Sequence, residues 1–181
     1  MIASGIIWLI ISDGTRHQIF KESFMRKMVI GFLILFSVQF FAFAQDAEVY
    51  YRVHMSGIGW SGYSSNGETA GTTGQSRQLE AIRIRVDSSV AGSIRYNAYV
   101  QNAGWLGWAF DNEDAGTTGQ NRRMEAIRIQ LTGQLAAQFD VRYRVHMADV
   151  GWSGWALNGD VAGTTGQSRR IEAIQVRLEP K

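Results

Sequence analysis

The sequence contains no cysteine, so neither a disulfide bond nor a lipid-modified cysteine can hold the fold or anchor the chain. Beyond its N-terminal region it has no helical hydrophobic period, which leaves strands as the expected elements. It also lacks a Gly-x-Ser-x-Gly nucleophile motif, a paired-histidine metal motif, and an EF-hand or RTX calcium pattern. We therefore expect no catalytic residues, no metal ligands and no cofactor.

The N-terminal region has the order of a secretory signal peptide. Met25-Arg26-Lys27 is basic, residues 28–43 are almost entirely apolar, and Ala42-Phe43-Ala44 places small residues where a signal peptidase cuts. We predict a signal peptide over residues 25–44 and an unstructured upstream extension over residues 1–24. The alternative is an uncleaved anchor, although a membrane span needs about 20 apolar residues. The sequence thus predicts a secreted protein, extracellular or at the cell surface, without membrane contact after cleavage.

The remaining chain is formally neutral. Residues 1–44 hold four of the 18 Lys+Arg and two of the 16 Asp+Glu, which leaves 14 of each sign. A neutral chain is not expected to bind nucleic acid or an acidic membrane, because both need a basic face. Thirteen of the 14 cations are arginines, a composition that favours geometrically defined ion pairs over mere solubility.

One phrase, Ala-Gly-Thr-Thr-Gly-Gln, occurs three times, at residues 70–75, 115–120 and 162–167. Each copy is preceded by Gly-Trp and followed by an arginine and Glu-Ala-Ile. The tryptophans are 45 and then 47 residues apart, so residues 45–181 consist of three repeats of about 46 residues. The predicted repeats span about residues 49–91, 94–138 and 141–179.

Each repeat is expected to contain three short strands. The first alternates, with Tyr51, Val53 and Met55 on one side. The second carries Gly-Trp and the following aromatic residue, and the third alternates again over residues 82–86. The apolar phase changes just before this third strand, which predicts a bulge or a single helical turn near Glu80-Ala81.

Turn signals separate these strands. Asn66-Gly67 and Asn158-Gly159 are strong turn dipeptides, whereas the middle repeat has Asn112-Glu113, so a different turn is expected there. The two extra residues of the longer step fall in the connector Gly133–Val141, which we predict to be a turn.

One repeat alone could not bury its apolar side, so the three copies should form one domain. We predict an all-β fold with pseudo-threefold symmetry and a β-prism-like arrangement. A β-trefoil is the alternative, although it requires four strands in each repeat.

The complete phrase runs from Gly-Trp through Ala-Gly-Thr-Thr-Gly-Gln and Ser/Asn-Arg to Glu-Ala-Ile. It resembles the clostridial hydrophobic repeat with its invariant tryptophan, the ChW repeat, and the resemblance extends from Tyr50 to about Leu178. The resemblance implies a secreted or surface-exposed protein, mainly of Gram-positive bacteria, with a non-catalytic role in adhesion or extracellular polymer recognition. The segments outside the repeats are too short for an enzyme domain, so we expect any activity to lie in the repeats themselves.

The aromatic residues are the first candidates for a binding site. For Trp60, Trp105 and Trp152, packing in the core near the pseudo-threefold axis is the favoured interpretation. The alternative is an exposed indole that stacks on a sugar ring or an aromatic partner. The second aromatic position changes identity between repeats and is the better candidate for an exposed surface. It holds Tyr63, Trp108 and Trp155.

The threonines and glutamines of the shared phrase could donate hydrogen bonds to sugar hydroxyls from a loop hinged by glycines. The alternative is that they only satisfy a tight turn. The candidate residues are Thr72, Gln75, Thr117, Gln120, Thr164 and Gln167.

An arginine and a glutamate also recur three residues apart. We predict that they form structural ion pairs that hold the loop. A glycosidase needs two carboxyls in unequal environments, which three nearly identical repeats do not supply. The predicted pairs are Arg77 with Glu80, Arg122 with Glu125, and Arg169 with Glu172.

The predicted function is a multivalent, non-catalytic module that binds polysaccharide or cell-wall glycan. The alternative is a protein-binding adhesion or extracellular-matrix component. Both interpretations leave the ligand, the number of working sites and the oligomeric state open.

Overall fold

The computed structural model describes residues 46–181, which lie within one compact unit, Gln45–Lys181. The predicted signal peptide and upstream extension fall outside the described residues. The elements in chain order are β1 (Ala47–Met55), β2 (Gly59–Trp60), β3 (Ser64–Ser65), β4 (Ala70–Gly71), β5 (Leu79–Ser88), β6 (Gly92–Val100), β7 (Gly104–Trp105), β8 (Ala109–Phe110), β9 (Ala115–Gly116), β10 (Met124–Thr132), α1 (Gly133–Gln138), β11 (Phe139–Met147), β12 (Gly151–Trp152), β13 (Ala156–Leu157), β14 (Ala162–Gly163) and β15 (Ile171–Pro180).

A long antiparallel hairpin forms the body of each repeat. Strand β1 pairs with β5, β6 with β10, and β11 with β15. In β1, Tyr51 and Val53 are fully buried, whereas Arg52 and His54 are half-buried on the opposite side. This confirms the predicted alternation. The buried sides of all three hairpins contribute to a single hydrophobic core.

Two-residue strands line the outer edge of each hairpin. In the first repeat, Trp60 of β2 lies opposite His54 and Ser64 of β3 lies opposite Tyr51. The predicted second strand is therefore split in two, because residues 61–63 leave the ladder between these pairs.

A β-bulge occurs at the same place in every hairpin. In the first, His54 pairs with Ala81 but Met55 pairs with Leu79, which leaves Glu80 as the extra residue. The prediction of an irregularity at this position is confirmed, and it is a bulge rather than a helical turn. The equivalent extra residues of the other hairpins are Glu125 and Glu172.

Each sheet is completed by a strand from another repeat. Strand β9 of the second repeat pairs with β5 of the first, β14 of the third with β10 of the second, and β4 of the first with β15 of the third. Every repeat thus contributes the Ala-Gly of its shared phrase to a neighbour, and the last of these pairings closes the ring. The three copies form one pseudo-threefold body, as predicted.

Buried tyrosines reinforce these joints. Tyr143 is fully buried, and its hydroxyl donates to Asp160 O at 2.5 Å within its own repeat. The same hydroxyl accepts a hydrogen bond of 3.1 Å from the Ile129 amide of the second repeat. Tyr51 and Tyr96 are its buried equivalents and donate to the carbonyls of Glu68 and Glu113.

The three sheets are open and separate, one for each repeat. They agree with the predicted all-β, prism-like arrangement. Within residues 46–181, no set of strands closes into the barrel that the trefoil alternative requires.

The connector between the second and third repeats differs from the prediction. We expected a turn over Gly133–Val141 and no helix outside the signal peptide, but residues Gly133–Gln138 form α1. Leu135 is buried on this helix. Six residues are too few to display a 3.6-residue hydrophobic period, so this helix had no detectable signal.

The turn of the middle repeat also differs from its counterparts, although not at the predicted dipeptide. The residues that occupy the place of Asn66-Gly67 are Asp111-Asn112, not Asn112-Glu113. Asn112 takes the glycine's place with a φ of 67° and donates its amide to Ile84 O at 2.7 Å. Asparagine is among the few residues that tolerate this left-handed conformation.

Candidate functional site

The Gly-Trp tryptophans lie on the outer sides of the three hairpins, which we call the first face (β1 and β5), the second face (β6 and β10) and the third face (β11 and β15). All three tryptophans are half-buried and none belongs to the core. The favoured prediction of core packing is therefore wrong, because tyrosines and aliphatic residues of the long strands fill the interior. The tryptophans instead lie opposite outward residues of the hairpins, Trp60 opposite His54, Trp105 opposite Tyr99 and Trp152 opposite His146.

Each tryptophan meets the ring opposite it edge to face, with 5.5 Å between centroids and an interplanar angle of 80°. On the first face, His54 Nδ1 also lies 3.1 Å from Glu80 Oε2. This is ion-pair distance, although the two atoms are not aligned for a hydrogen bond. The third face repeats the contact between His146 and Glu172 at 3.3 Å.

Arginines cover the aromatic rings. On the first face, the Cζ atom of Arg52 lies 5.1 Å from the Trp60 ring centroid and 5.0 Å from the Tyr63 centroid. On the third face, Arg144 lies 4.9 Å from Trp152 and 4.7 Å from Trp155. One guanidinium therefore contacts both aromatic residues on each of these faces, and such contacts are worth about 0.5–2 kcal/mol depending on burial.

The second face has aromatic residues at the same two positions, but its arginines are arranged differently. Arg128 lies 4.2 Å from the Trp105 centroid, and Arg95 lies 4.7 Å from the Trp108 centroid. Within the described residues, no single arginine contacts both rings of this face.

The second aromatic position is the more exposed one on two faces. Tyr63 is 42% exposed and Trp108 is 37% exposed, whereas Trp155 is half-buried beneath Arg144 and Arg177. The Tyr63 hydroxyl donates to Asn112 Oδ1 at 2.5 Å, so the turn of the second repeat steadies the first face.

The loop threonines and glutamines have different environments. The amide of Thr72 donates to Glu172 O at 3.0 Å, and the equivalent threonines do the same at their own joints. The side-chain oxygens of these threonines are buried without a hydrogen-bond partner among the described residues. The first threonine of each loop thus belongs to the joint between repeats, whereas the glutamines are exposed. The residues concerned are Thr72, Thr117 and Thr164, and Gln75, Gln120 and Gln167.

The predicted ion pairs have the right glutamates but the wrong partners. Glu125 bonds to Arg123 at 2.9 Å and Glu172 to Arg170 at 2.8 Å, one residue beyond the predicted arginines. In the first repeat Gln78 occupies this position and donates to Glu80 at 3.4 Å. Side chains two residues apart along extended backbone share a side, which a spacing of three does not provide. The predicted partners Arg77, Arg122 and Arg169 form no salt bridge within residues 46–181.

The first repeat has Gln78 where the other repeats have an arginine, and this substitution predicts a measurable difference in stability between repeats. Glu80 and Glu125 are both 2% exposed, but only Glu125 has an arginine partner. At about pH 8, Glu125→Gln should cost roughly 2 kcal/mol of unfolding free energy, because Arg123 loses its carboxylate. Glu80→Gln should change it by less than about 1 kcal/mol, since its buried charge has no such partner. Urea unfolding of both variants measures this, and equal losses would contradict the assignment.

The arginines of the faces are not among the site residues predicted from the sequence. Their signal was present, because Arg52 and His54 alternate with buried residues and must share the outer side of β1. What the pattern did not reveal was that Gly59-Trp60 folds back onto His54, which places the indole beside these cations.

A known protein family matches each of the three repeats. The family model of Clostridial hydrophobic W, ChW, matches residues 54–88, 99–133 and 146–180, which together make up more than half of the chain. The chain belongs to the ChW family. Neither the curated proteins nor the solved structures contain a match to it.

Each matched ChW stretch begins at the residue opposite its tryptophan. It includes the Gly-Trp pair, the shared loop and the second long strand, but it begins near the end of the first long strand. The histidine or tyrosine beside the indole is therefore the first residue of every matched stretch, and the buried first half of the hairpin precedes it.

Two surface cavities of about 420 and 330 Å³ lie elsewhere, near the C-terminus and α1, and no tryptophan lines either of them. Residues 46–181 bring together no group of three metal-ligating side chains. In the same residues, no helix has the length and apolar character needed to cross a membrane.

Proposed function

We propose that this ChW protein is an exported, non-catalytic module that binds extracellular polysaccharide through its three outer faces. The observation that carries the proposal is the threefold recurrence of a tryptophan, a second aromatic residue and stacked arginines on the outside of one closed body. Aromatic faces contact the apolar side of sugar rings, while guanidinium and amide groups donate hydrogen bonds to ring substituents.

Three similar faces suit a repeating ligand. A single shallow aromatic face binds weakly, but a polymer that engages a second face binds it at high effective concentration. The exposed glutamine of each shared loop adds a donor and an acceptor close to the joint between repeats. The three bulge glutamates have no role in this proposal beyond structure, because all three are buried.

A second candidate is a protein partner in adhesion, for which exposed apolar residues are the specific observation. Ile58 is 52% exposed and Val150 is 48% exposed, and both lie in the turn that precedes Gly-Trp. Phe110 and Val161 are also more than two-fifths exposed. Exposed apolar groups of this kind favour contact with a protein surface.

The binding proposal can be tested with a panel of wall and plant polysaccharides. We expect the protein to bind at least one, and Tyr63→Ala, Trp108→Ala and Trp155→Ala to weaken binding in successive steps of roughly tenfold. Ile58→Ala and Val150→Ala are matched controls that should leave glycan binding unchanged. A panel without any binding would contradict the proposal. Capture of one extracellular protein that both control substitutions weaken would favour the adhesion alternative.

A further inference from the structure

Two arginines on the faces have no anionic partner among the residues that the structure describes. Within residues 46–181, Arg52 and Arg144 form no salt bridge, and Arg52 makes no hydrogen bond through its side chain. Arg144 has one neutral partner, because its Nε donates to Gln175 Oε1 at 2.7 Å. Both guanidinium groups instead contact two aromatic rings each, at Cζ-to-centroid distances between 4.7 and 5.1 Å.

The neighbouring arginines, by contrast, have carboxylate partners. On the first face, Arg83 pairs with Asp114 and Arg85 with Asp87. On the third face, Arg142 and Arg177 both pair with Glu179, each at 2.6 Å. Within residues 46–181, no carboxylate pairs with the guanidinium that lies among the rings on each of these two faces, because the nearby carboxylates pair with other arginines.

The second face differs at the position of the unpaired arginine. Asn97 stands where the first and third repeats have Arg52 and Arg144, and it is 4% exposed. Its side-chain amide donates to the carbonyl of Leu106. The first repeat has Ser61 where the second has Leu106, a partly buried side chain that packs against the core.

We propose that Arg52 and Arg144 each receive an acidic group of an anionic polysaccharide, so that the protein has two acid-binding sites and one face that lacks such a site. The inference rests on the proposed glycan binding and specifies the class of ligand. A guanidinium held between rings has a defined orientation and sheds part of its hydration, which favours charge-assisted hydrogen bonds to a carboxylate or phosphate.

Polygalacturonate and its fully methyl-esterified form provide a matched pair of probes, because esterification replaces each carboxylate with a neutral methyl ester and leaves the sugar backbone unchanged. We expect polygalacturonate to bind more tightly, and each of Arg52→Gln and Arg144→Gln to weaken that binding by about tenfold to a hundredfold. The esterified polymer should respond little to either substitution. Arg52→Lys and Arg144→Lys should restore only part of the affinity, since lysine keeps the charge but not the planar stack.

The double variant Arg122→Gln/Arg169→Gln is the control. It removes the same two positive charges from exposed loop positions that contact none of the face aromatics within the described residues. Binding unchanged in this control but lost in Arg52→Gln/Arg144→Gln supports specific recognition. An equal loss in both variants would instead indicate general charge attraction and would overturn the proposal.

Grafting the site onto the second face is an independent test. Asn97→Arg together with Leu106→Ser recreates the first-repeat residues, and we expect the number of short oligogalacturonates bound to rise from two to three. A wild-type count of three, or an unchanged count in a folded graft, would contradict the assignment. A graft that does not fold leaves the wild-type count of two as the deciding measurement.

Two further binding measurements, with a polyglycerol phosphate and with neutral glycans, separate the remaining outcomes. A polyglycerol phosphate tests whether the acidic group is a phosphodiester, as in a wall polymer, rather than a carboxylate. Tight binding of neutral glycans, insensitive to either arginine, would overturn this inference and leave the proposed function intact. Failure of every neutral and acidic glycan to bind would overturn both.

Discussion

Replacing Gly116 with alanine should lower the free energy of unfolding by about 3 kcal/mol or more, with a drop in melting temperature of roughly 10 °C. Gly116 belongs to the strand that the second repeat contributes to the first. Its φ is +119°, which side chains rarely adopt, and a Cβ would lie 2.7 Å from the Cα of Ala81 and still closer to the carbonyl of Glu80. Both contacts are backbone atoms in a paired strand, so neither can move without breaking the joint.

Gly107→Ala is the matched control for this experiment. Gly107 lies in the same repeat, and a Cβ there would meet nothing within 4 Å. Thermal unfolding of both variants should show a loss confined to Gly116→Ala. Equal melting temperatures would mean that the contributed strand does not hold the repeats together. Gly71 and Gly163 are the equivalent positions, and a Cβ at either of them would also clash with backbone atoms of the neighbouring strand.

The second large effect that we expect is a loss of unfolding free energy between about pH 10 and pH 12. Burial raises the pKa of Tyr51 and of Tyr143 to about 12, and it raises the pKa of Tyr96 as well. All three tyrosines are fully buried. An unfolded tyrosine has a pKa of about 10. Above that pH the unfolded chain releases protons that the folded protein retains, so the stability present below about pH 10 is lost as the pH rises.

Each buried tyrosine should contribute a slope of about −1.4 kcal/mol per pH unit, or roughly −4 kcal/mol for the three together. Urea unfolding measured at intervals across this range gives the slope directly. Tyr143→Phe should remove about one third of it, even though the variant begins with lower stability because the bonds to Asp160 and Ile129 are gone. A free energy of unfolding that stays level across this range would contradict the account.

The elements that the sequence predicted well are those that local periodicity controls. Alternation in β1 separates Tyr51 from Arg52, and the break in phase before Ile82 corresponds to the bulge at Glu80. The triplication implied one closed body, because an isolated hairpin has no partner for its apolar side. These inferences need only neighbours in sequence or the repeat itself.

The parts that could not be predicted depend on contacts between repeats. Nothing local shows that Ala115-Gly116 pairs with the preceding repeat, although this pairing explains why glycine is required there. The position of Trp60 was assigned to the core because indoles are usually buried, but the fold-back of Gly59-Trp60 places it outside beside cations. The predicted partner of Glu125 was wrong, because a spacing of three does not place two side chains on one side of extended backbone, whereas Arg123 is two residues away.

The net charge alone also gave incomplete information about the class of ligand proposed here. The neutral total argues against a broadly basic surface, yet it hides how individual charges are paired. Arg83 and Arg85 have carboxylate partners, whereas Arg52 beside them has none within the described part of the chain. This local arrangement is compatible with the proposed recognition of acidic sugars, in which each unpaired arginine binds one acidic group.

Amide hydrogen exchange at the joints tests the closed ring most directly. The amides of Thr72, Thr117 and Thr164 each donate across a different joint, at 3.0, 2.8 and 2.9 Å. If the three repeats form one cooperative body, all three amides should exchange only through global unfolding, with the same free energy as the slowest-exchanging amides of the paired strands β1 and β5. Exchange at any one joint with a free energy well below that of these strand amides would show that the ring opens there, and would contradict the account.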